Sequence, residues 1–464
     1  MMIQEDNDRI VHTEFPLSSR KKRQRAAKHS INVLKSFLGS NYLSIPFAVA
    51  AAGSLFGPLL IAIIAFISGF GCLLLVRIRK DLLRQHRQID VNGDGTCVVE
   101  TYAQVAGVVL GSAGYYVVEA FLILTQAGYC IGYVIYMSTA LRQFTGASLS
   151  QQVITFGLLF PSLVCLCLVP DLKHFLPFSF ASNIALLMGF LAIIAACISH
   201  ARAIGTFDLS WGISDIHKIP LAFGNIVASF EGIGTILSVE GSMAKDQSRE
   251  TYPPLLRKTL LLVTLLFSLF GIVGLGAYGE ELCSVILNNI SRGAYADAAR
   301  GCLIVGLFFT YGFQMYPVFE MIDLRLFPNE GPDHASFSEV SPLLTTGDNH
   351  SLDISWESCG NDLRRHRMKM TAKYVGVRVG LVLTTSIIAY FVPEFELLVA
   401  LIGSVGAGML AFVVPGILGL VLYRNSALFY HKLSYISLII LGVVGGSIGA
   451  AYALHDLIQG HSQC

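Results

Sequence analysis

The sequence predicts an all-α polytopic membrane protein with about 11 transmembrane helices, arranged as a five-plus-five inverted repeat with discontinuous helices 1 and 6 plus one extra helix. Three observations lead there. The 464 residues are 54% hydrophobic and only 14% charged, with a mean hydropathy of +0.63, far too apolar for a soluble chain of this length. Apolar stretches of roughly 17–25 residues, each sufficient for a spanning helix, recur along nearly the whole chain. Two of those stretches, 31–52 (INVLKSFLGSNYLSIPFAVAAA) and 219–241 (IPLAFGNIVASFEGIGTILSVEG), carry glycines and polar residues at mid-depth. Non-helical backbone inside a bilayer is tolerated only where protein buries it or it lines a cavity, and paired interrupted helices in two halves of a chain point to a transporter binding site.

Residues 1–30 form a basic tail whose RKKRQR cluster at 20–25 suits contact with anionic lipid beside a membrane span. The tail is polar, and the first apolar segment is too long and lacks a small-residue cleavage site, so a cleavable signal peptide is not expected. The first repeat, 31–199, holds spans at 31–53, 55–77, 115–140, 152–170 and 174–199, with residues 98–112 as an amphipathic interfacial helix ahead of the third. The second repeat, 219–422, holds spans at 219–242, 257–279, 299–322, 374–393 and 396–422. A five-span unit has its ends on opposite sides of the membrane, so a second copy runs upside down. Between the eighth and ninth spans, 323–373 is rich in Ser, Asp, Asn, Pro and Gly and is expected to be mostly disordered. The eleventh helix, 434–456, carries closely spaced Gly and Ala that suit close helix packing or dimerisation.

Charge sets the orientation. Twenty-five of the 32 Lys and Arg residues fall on the side of the N-terminus and five on the other, with Lys35 and Arg378 inside spans. This positive-inside bias places the N-terminus in the cytosol. The net charge of +1 hides that asymmetry and gives no reason to expect a nucleic-acid partner. Two sequons test the topology: Asn289-Ile290-Ser291 lies in a luminal loop and is the expected glycosylation site, whereas Asn349-His350-Ser351 lies on the cytosolic side. A glycan found on Asn349 and not on Asn289 overturns the orientation. Glu339, Leu343 and Leu344 spell an acidic dileucine pattern in the cytosolic loop, an address for sorting adaptors of endosomes, lysosomes or a vacuole, although so short a pattern also arises by chance. The ten cysteines show no metal-ligand spacing. Most read as small buried hydrophobes, with a disulfide among Cys283, Cys464 and Cys197 open on the non-cytosolic side.

A zwitterionic amino acid needs an anion site and a cation site close together, and a broken helix offers both. In the first break the N–H groups around Ser40, Asn41 and Tyr42 face a carboxylate, and the carbonyls of Ser36, Phe37 and Leu38 face an ammonium or Na+. In the sixth span, carbonyls at Ser229 and Phe230 complete the amine site. Gly39, Gly232 and Gly234 let the backbone leave helical angles. The competing account is that these glycines are ordinary packing points. Phe230, Tyr129 and Tyr316 are candidates to wall the substrate, against simple packing. Glu231 is the sharpest single residue, because an intramembrane carboxyl is costly; proton carriage and capping of the broken helix both remain open. Glu119 and Glu320 are the other carboxyl candidates for proton coupling or gating, against solvation near the cytosolic boundary. Lys35 is read as snorkelling and Arg378 as an interface residue at the start of span nine.

Five runs in order carry a family resemblance: LKSFLGSNYLSIPFA (34–48), TQAGYCIGYV (125–134), FEGIGTILSVEGSM (230–243), YGFQMYPVFE (311–320) and LIGSVGAGMLAFVVPGIL (401–418). With them the chain resembles the amino acid/auxin permease family, within the amino acid–polyamine–organocation superfamily, and is most similar to its proton-coupled and vacuolar amino acid transporters. The resemblance implies the five-plus-five fold and amino acid symport, often with H+. Many relatives carry Gly where this chain has Asn41, and small or polar residues where it has Phe37; Asn41 adds a side-chain donor and removes space beside the expected carboxylate.

The reading is therefore a secondary transporter of small neutral amino acids. It needs no cofactor, takes H+ as coupling ion with Na+ as the alternative, and sits in an endosomal, lysosomal or vacuolar membrane, with the plasma membrane as the other location. A membrane amino acid sensor or scaffold signalling through its cytosolic loop is the alternative from a different class. An enzyme is not expected: the sequence holds no nucleotide loop, metal-ligand spacing or triad.

Overall fold

The computed structural model describes residues 37, 40–89, 101–146, 148–169, 172–205, 207, 209, 216–230, 232–242, 248–279, 282–283, 285–290, 293–326, 356–392 and 395–459. Among these there is no strand, and eight helices are long and apolar enough to cross a membrane, joined by the shorter apolar helices Asn41–Ala52 and Val153–Cys167. The all-α polytopic class read from composition is what the chain adopts.

A 3₁₀ turn, Ser40–Ser44, leads into α1 (Ile45–Ala52). Pro46 suits its first turn, where an amide hydrogen would have no helical partner, and Gly53 ends it at φ 88°, a conformation that favours glycine. All eight residues of α1 are buried, and it packs against α2 (Phe56–Ile89), α6 (Ile219–Ser229) and α8 (Ser248–Tyr278). That central position explains why an apolar run with little amphipathic character forms a helix here: every face meets protein.

Helix α3 (Tyr102–Phe144) opens with a reciprocal cap in which the Gln104 N–H donates to Thr101 Oγ1 and the Thr101 N–H donates to Gln104 Oε1. At Gly111 the backbone takes φ 75°, ψ −170°, a region essentially restricted to glycine, and the helix kinks there. From Tyr102 on, the expected interfacial helix at 98–112 is thus the leading arm of α3. A π-helical stretch, Val153–Leu159, runs into α4 (Phe160–Cys167), followed by α5 (Leu172–Ile204).

Helix α6 stops at Ser229 and α7 (Ile233–Ser242) resumes after the break. The remaining helices are α8, α9 (Ala294–Leu326), α10 (Trp356–Phe391), α11 (Phe395–Ile402), α12 (Val414–Leu422) and α13 (Phe429–Gln459). Two π-helical segments, Gly403–Ala407 and Met409–Val413, join α11 to α12. Helices α5 and α9 pack together, α3 lies against α9, and α13 covers α6, α11 and α12. Gly403 and Gly224 let the first π-helical segment and α6 approach very closely: a Cβ on Gly224 would sit 2.5 Å from the Ala400 carbonyl oxygen.

Three expectations need correction. The second span, read as 55–77, continues as α2 to Ile89, because the run beyond 77 is built of good helix formers and Arg79 finds a buried partner. The segment 323–373, read as mostly disordered, is helical over 323–326 and from Trp356 onward, where Arg, Lys and Met without proline support a helix; 327–355 lie outside the described residues. Arg378, read as solvated at the start of a span, is only 14% exposed in its side chain; it pairs with Asp323 at 3.5 Å and lies over the rings of Phe319 and Tyr374. Cys283 is disulfide-bonded, whereas Cys197 is a buried free thiol.

Candidate functional site: the junction of the two helix breaks

The C-terminal end of α6 fails as a helix in steps. The Phe230 N–H still reaches back to the carbonyls of Ile226 (3.1 Å) and Val227 (3.2 Å). The Gly232 N–H then bonds the Phe230 carbonyl only two residues back, at 3.0 Å, a tight turn that no helix contains. The last carbonyls of α6 lose their partners and must be satisfied from elsewhere.

One of them, that of Ala228, is met by the other break. Asn41 Nδ2–H donates to the Ala228 carbonyl at 3.0 Å. In return, the Ser229 hydroxyl lies 3.0 Å from the Asn41 carbonyl and 2.8 Å from the Asn225 carbonyl. Ser68 on α2 donates its hydroxyl to the Phe230 carbonyl at 3.2 Å. Phe37 is buried with its ring against Gly232, so close that a Cβ there would meet Cε1 at 2.6 Å. The structure thus brings together Phe37, Asn41, Ser229, Phe230 and Gly232, drawn from two segments nearly two hundred residues apart in the chain. The buried Phe230 ring turns onto Phe267 of α8.

Other candidates are placed differently. Ser40 opens the 3₁₀ turn, and the N–H groups of Ser40, Asn41 and Tyr42 precede any helical acceptor, as an anion site requires. The Tyr42 side chain points away from the break: its hydroxyl donates to the Leu186 carbonyl at 3.3 Å, and its ring meets Phe190 and Phe270 edge-on. Tyr129 is buried on α3, Tyr316 is half-buried on α9, and Gly234 sits half-buried in the first turn of α7. Glu119 is not solvated; it is 2% exposed and ion-pairs with Arg325, tying α3 to α9. Asn289 accepts a hydrogen bond from the Cys283 N–H at 2.7 Å through Oδ1. The side chain of Glu320 lies outside the described residues, as do Lys35, Ser36, Leu38, Gly39, Glu231, Glu339, Leu343, Leu344 and Asn349.

Sequence reasoning missed two features. Asn225, fully buried on α6 one turn before Ser229, leaves both amide atoms without a hydrogen-bond partner among the described residues, as does Asn41 Oδ1. Such groups are costly unless a ligand or water meets them. A lone Asn in an apolar span was the available signal. The second is an ion pair: Arg79 on α2 donates to Glu240 Oε2 at 2.6 Å and to the Leu237 carbonyl at 3.0 Å, with side chains 4% and 2% exposed. It fastens α7, the distal half of the broken helix, to α2. Arg79 reads as a loop charge and Glu240 as the end of a span, so neither announces its partner.

With this geometry in place, similarity to known proteins is informative. The sequence model of the family described as "Transmembrane amino acid transporter protein" matches residues 22–454. Among curated Arabidopsis thaliana proteins, the chain is 25% identical to "Amino acid transporter AVT3C" over 448 residues, covering 92% of this chain and 90% of that one. It is 26% identical to "Amino acid transporter ANT1" over 434 residues, covering 92% and 91%. Among solved structures, a Na+-coupled sialic acid symporter in a substrate-bound outward-open state aligns with a TM-score of 0.39 at 10% identity, covering 94% of this chain and 97% of that one.

Proposed function

The chain belongs to the transmembrane amino acid transporter family, and from that premise we propose that it is a secondary active transporter of neutral amino acids, coupled to H+, working by alternating access about the breaks between Phe37 and Asn41 and between Ser229 and Gly232. The observation that carries this reading is the reciprocal tie of the breaks through Asn41 and Ser229. Two helix ends held at one place put N–H donors and carbonyl acceptors within reach of the carboxylate and ammonium of one substrate. The 31–199 and 219–422 segments act as the two inverted halves, with 434–456 as the eleventh helix, and rocking of one half against the other exposes the site to each side in turn. Glu231, Glu119 and Glu320 are the carboxyls proposed to carry or gate the proton.

H+ is favoured over Na+ because the Asn41 amide already donates to the Ala228 carbonyl, leaving one oxygen fewer for a bound cation. An acidic organelle with the N-terminus in the cytosol gives the gradient a direction, driving amino acids toward the cytosol. Radiolabelled uptake by the purified protein in proteoliposomes, across a panel of amino acids, is expected to follow an imposed pH gradient and to persist when choline replaces Na+. Flux that follows Na+ at fixed pH moves the coupling to Na+; no gradient-driven flux for any amino acid sinks the reading. Glycosidase-sensitive mass on the native chain is expected to vanish in Asn289→Gln and to persist in Asn349→Gln, which reports the orientation.

A further inference from the structure

The C-terminal ends of α2 and α12 enclose a cleft that takes no part in the junction of the breaks. Asp81, Arg84, Leu422, Tyr423 and Ser426 line a cavity of about 250 Å³ there. Helix α2 has 34 residues, hence a length of roughly 50 Å against a hydrocarbon core of roughly 30 Å, so its last turns stand at headgroup level. The apolar part of α2 gives way at Arg77, which is exposed, and the turn from α12 to α13 adds exposed Arg424. Beside that turn Leu428, Phe429, Tyr430 and Leu433 are all more than half exposed, an apolar and aromatic fringe of the kind that sits at the membrane interface.

The chemistry inside the cleft is specific. Asp81 Oδ2 accepts a 2.6 Å hydrogen bond from the Tyr423 hydroxyl, and its other oxygen lies 3.7 Å from Arg84 Nη1. Burial, reinforced by the hydrogen bond and charge of Asp81, pushes the Tyr423 hydroxyl up, so it stays a neutral donor. The carboxylate is therefore held on one side, while the Arg84 side chain, 81% exposed, keeps most of its five N–H donors for a ligand. A guanidinium at the mouth of a small cleft, at headgroup depth beside an aromatic fringe, matches a phosphate carried on a lipid.

We propose that this cleft binds the headgroup of an anionic phospholipid from the surrounding leaflet, with Arg84 taking the phosphate, Arg77 and Arg424 supplying flanking charge, and the 428–433 fringe meeting the acyl chains. The proposal rests on the basic end of the bundle facing the anionic leaflet and is independent of the transported substrate. Binding to the full-length purified protein is measured by native mass spectrometry with dioctanoyl phosphatidylinositol phosphate, dioctanoyl phosphatidylcholine and soluble inositol phosphate. The phosphorylated lipid is expected to bind saturably and at least about tenfold more tightly than the other two, and Arg84→Ala to weaken it about tenfold, the scale of one lost charged hydrogen bond. Lys218→Ala, beyond the opposite end of the bundle, is expected to leave it unchanged. Equal binding of phosphatidylcholine, equal binding of soluble inositol phosphate, or native affinity in Arg84→Ala each overturns the proposal; because Arg84 is exposed, loss of fold does not blur the result.

Discussion

Glu240→Gln is expected to destabilise the protein by about 3–5 kcal/mol, because it removes the carboxylate that faces the buried Arg79 guanidinium at 2.6 Å. Arg79→Leu is expected to cost a similar amount for the converse reason. Coulomb energy between two charges says little about the net worth of such a pair, since each ion gave up its hydration to enter the bundle. The informative variant is the double one: Arg79→Leu with Glu240→Leu removes both charges and is expected to recover most of the loss. Thermal unfolding of the detergent-purified variants reads this as a large coupling energy between the two positions. Near-additive losses would show that the charges do not depend on each other. Uptake gives the second readout. The pair clamps α7 to α2, and α7 is the half of the broken helix that the proposed alternating access would move. A double variant that is stable but slow shows that the pair orders the cycle; one that is stable and fast shows that it only holds the fold.

How much of this was legible in the sequence divides along a physical line. Spans are set by local composition, since about 20 apolar residues suffice to cross a bilayer, and eight helices among the described residues are long and apolar enough to do so. The break after Ser229 was legible because polar groups at mid-depth contradict the pattern around them. What local pattern does not carry is partnership. The run after Val76 looks like a cytosolic connection because it is charged, yet α2 continues through it, with one arginine buried against Glu240 some 160 residues on. Arg378 reads as a boundary charge, and nothing local announces that it pairs with Asp323 and lies over the Phe319 ring of α9. Asn225 stands out as a lone amide in an apolar run, but that both its amide atoms go unmet shows only once its neighbours are known. Asn41 shows the limit from the other side: its departure from the usual glycine was visible, but that its amide spans the gap to Ala228 depends on a helix end from the other half of the chain.

The junction of the breaks makes the sharpest functional prediction. Gly232→Ala adds one methyl group where the Phe37 ring already lies, 2.6 Å from the new atom, and overpacking of this kind costs about 1–3 kcal/mol. The strain falls on the two segments proposed to open and close around the substrate, so uptake is expected to fall at least about tenfold while expression stays near native. Loss of activity alone would not locate the cause. Phe37→Ala removes the clashing ring, so the Phe37→Ala, Gly232→Ala double variant is expected to transport better than Gly232→Ala alone. A geometric clash predicts that rescue; a need for glycine at position 232 to set the backbone does not, because the second substitution leaves the backbone requirement in place. Initial uptake rates of the three variants and the native protein, in proteoliposomes under one pH gradient, decide between the two. Native rates in Gly232→Ala would mean that the ring and the glycine separate freely during the cycle, and would remove their contact from the mechanism.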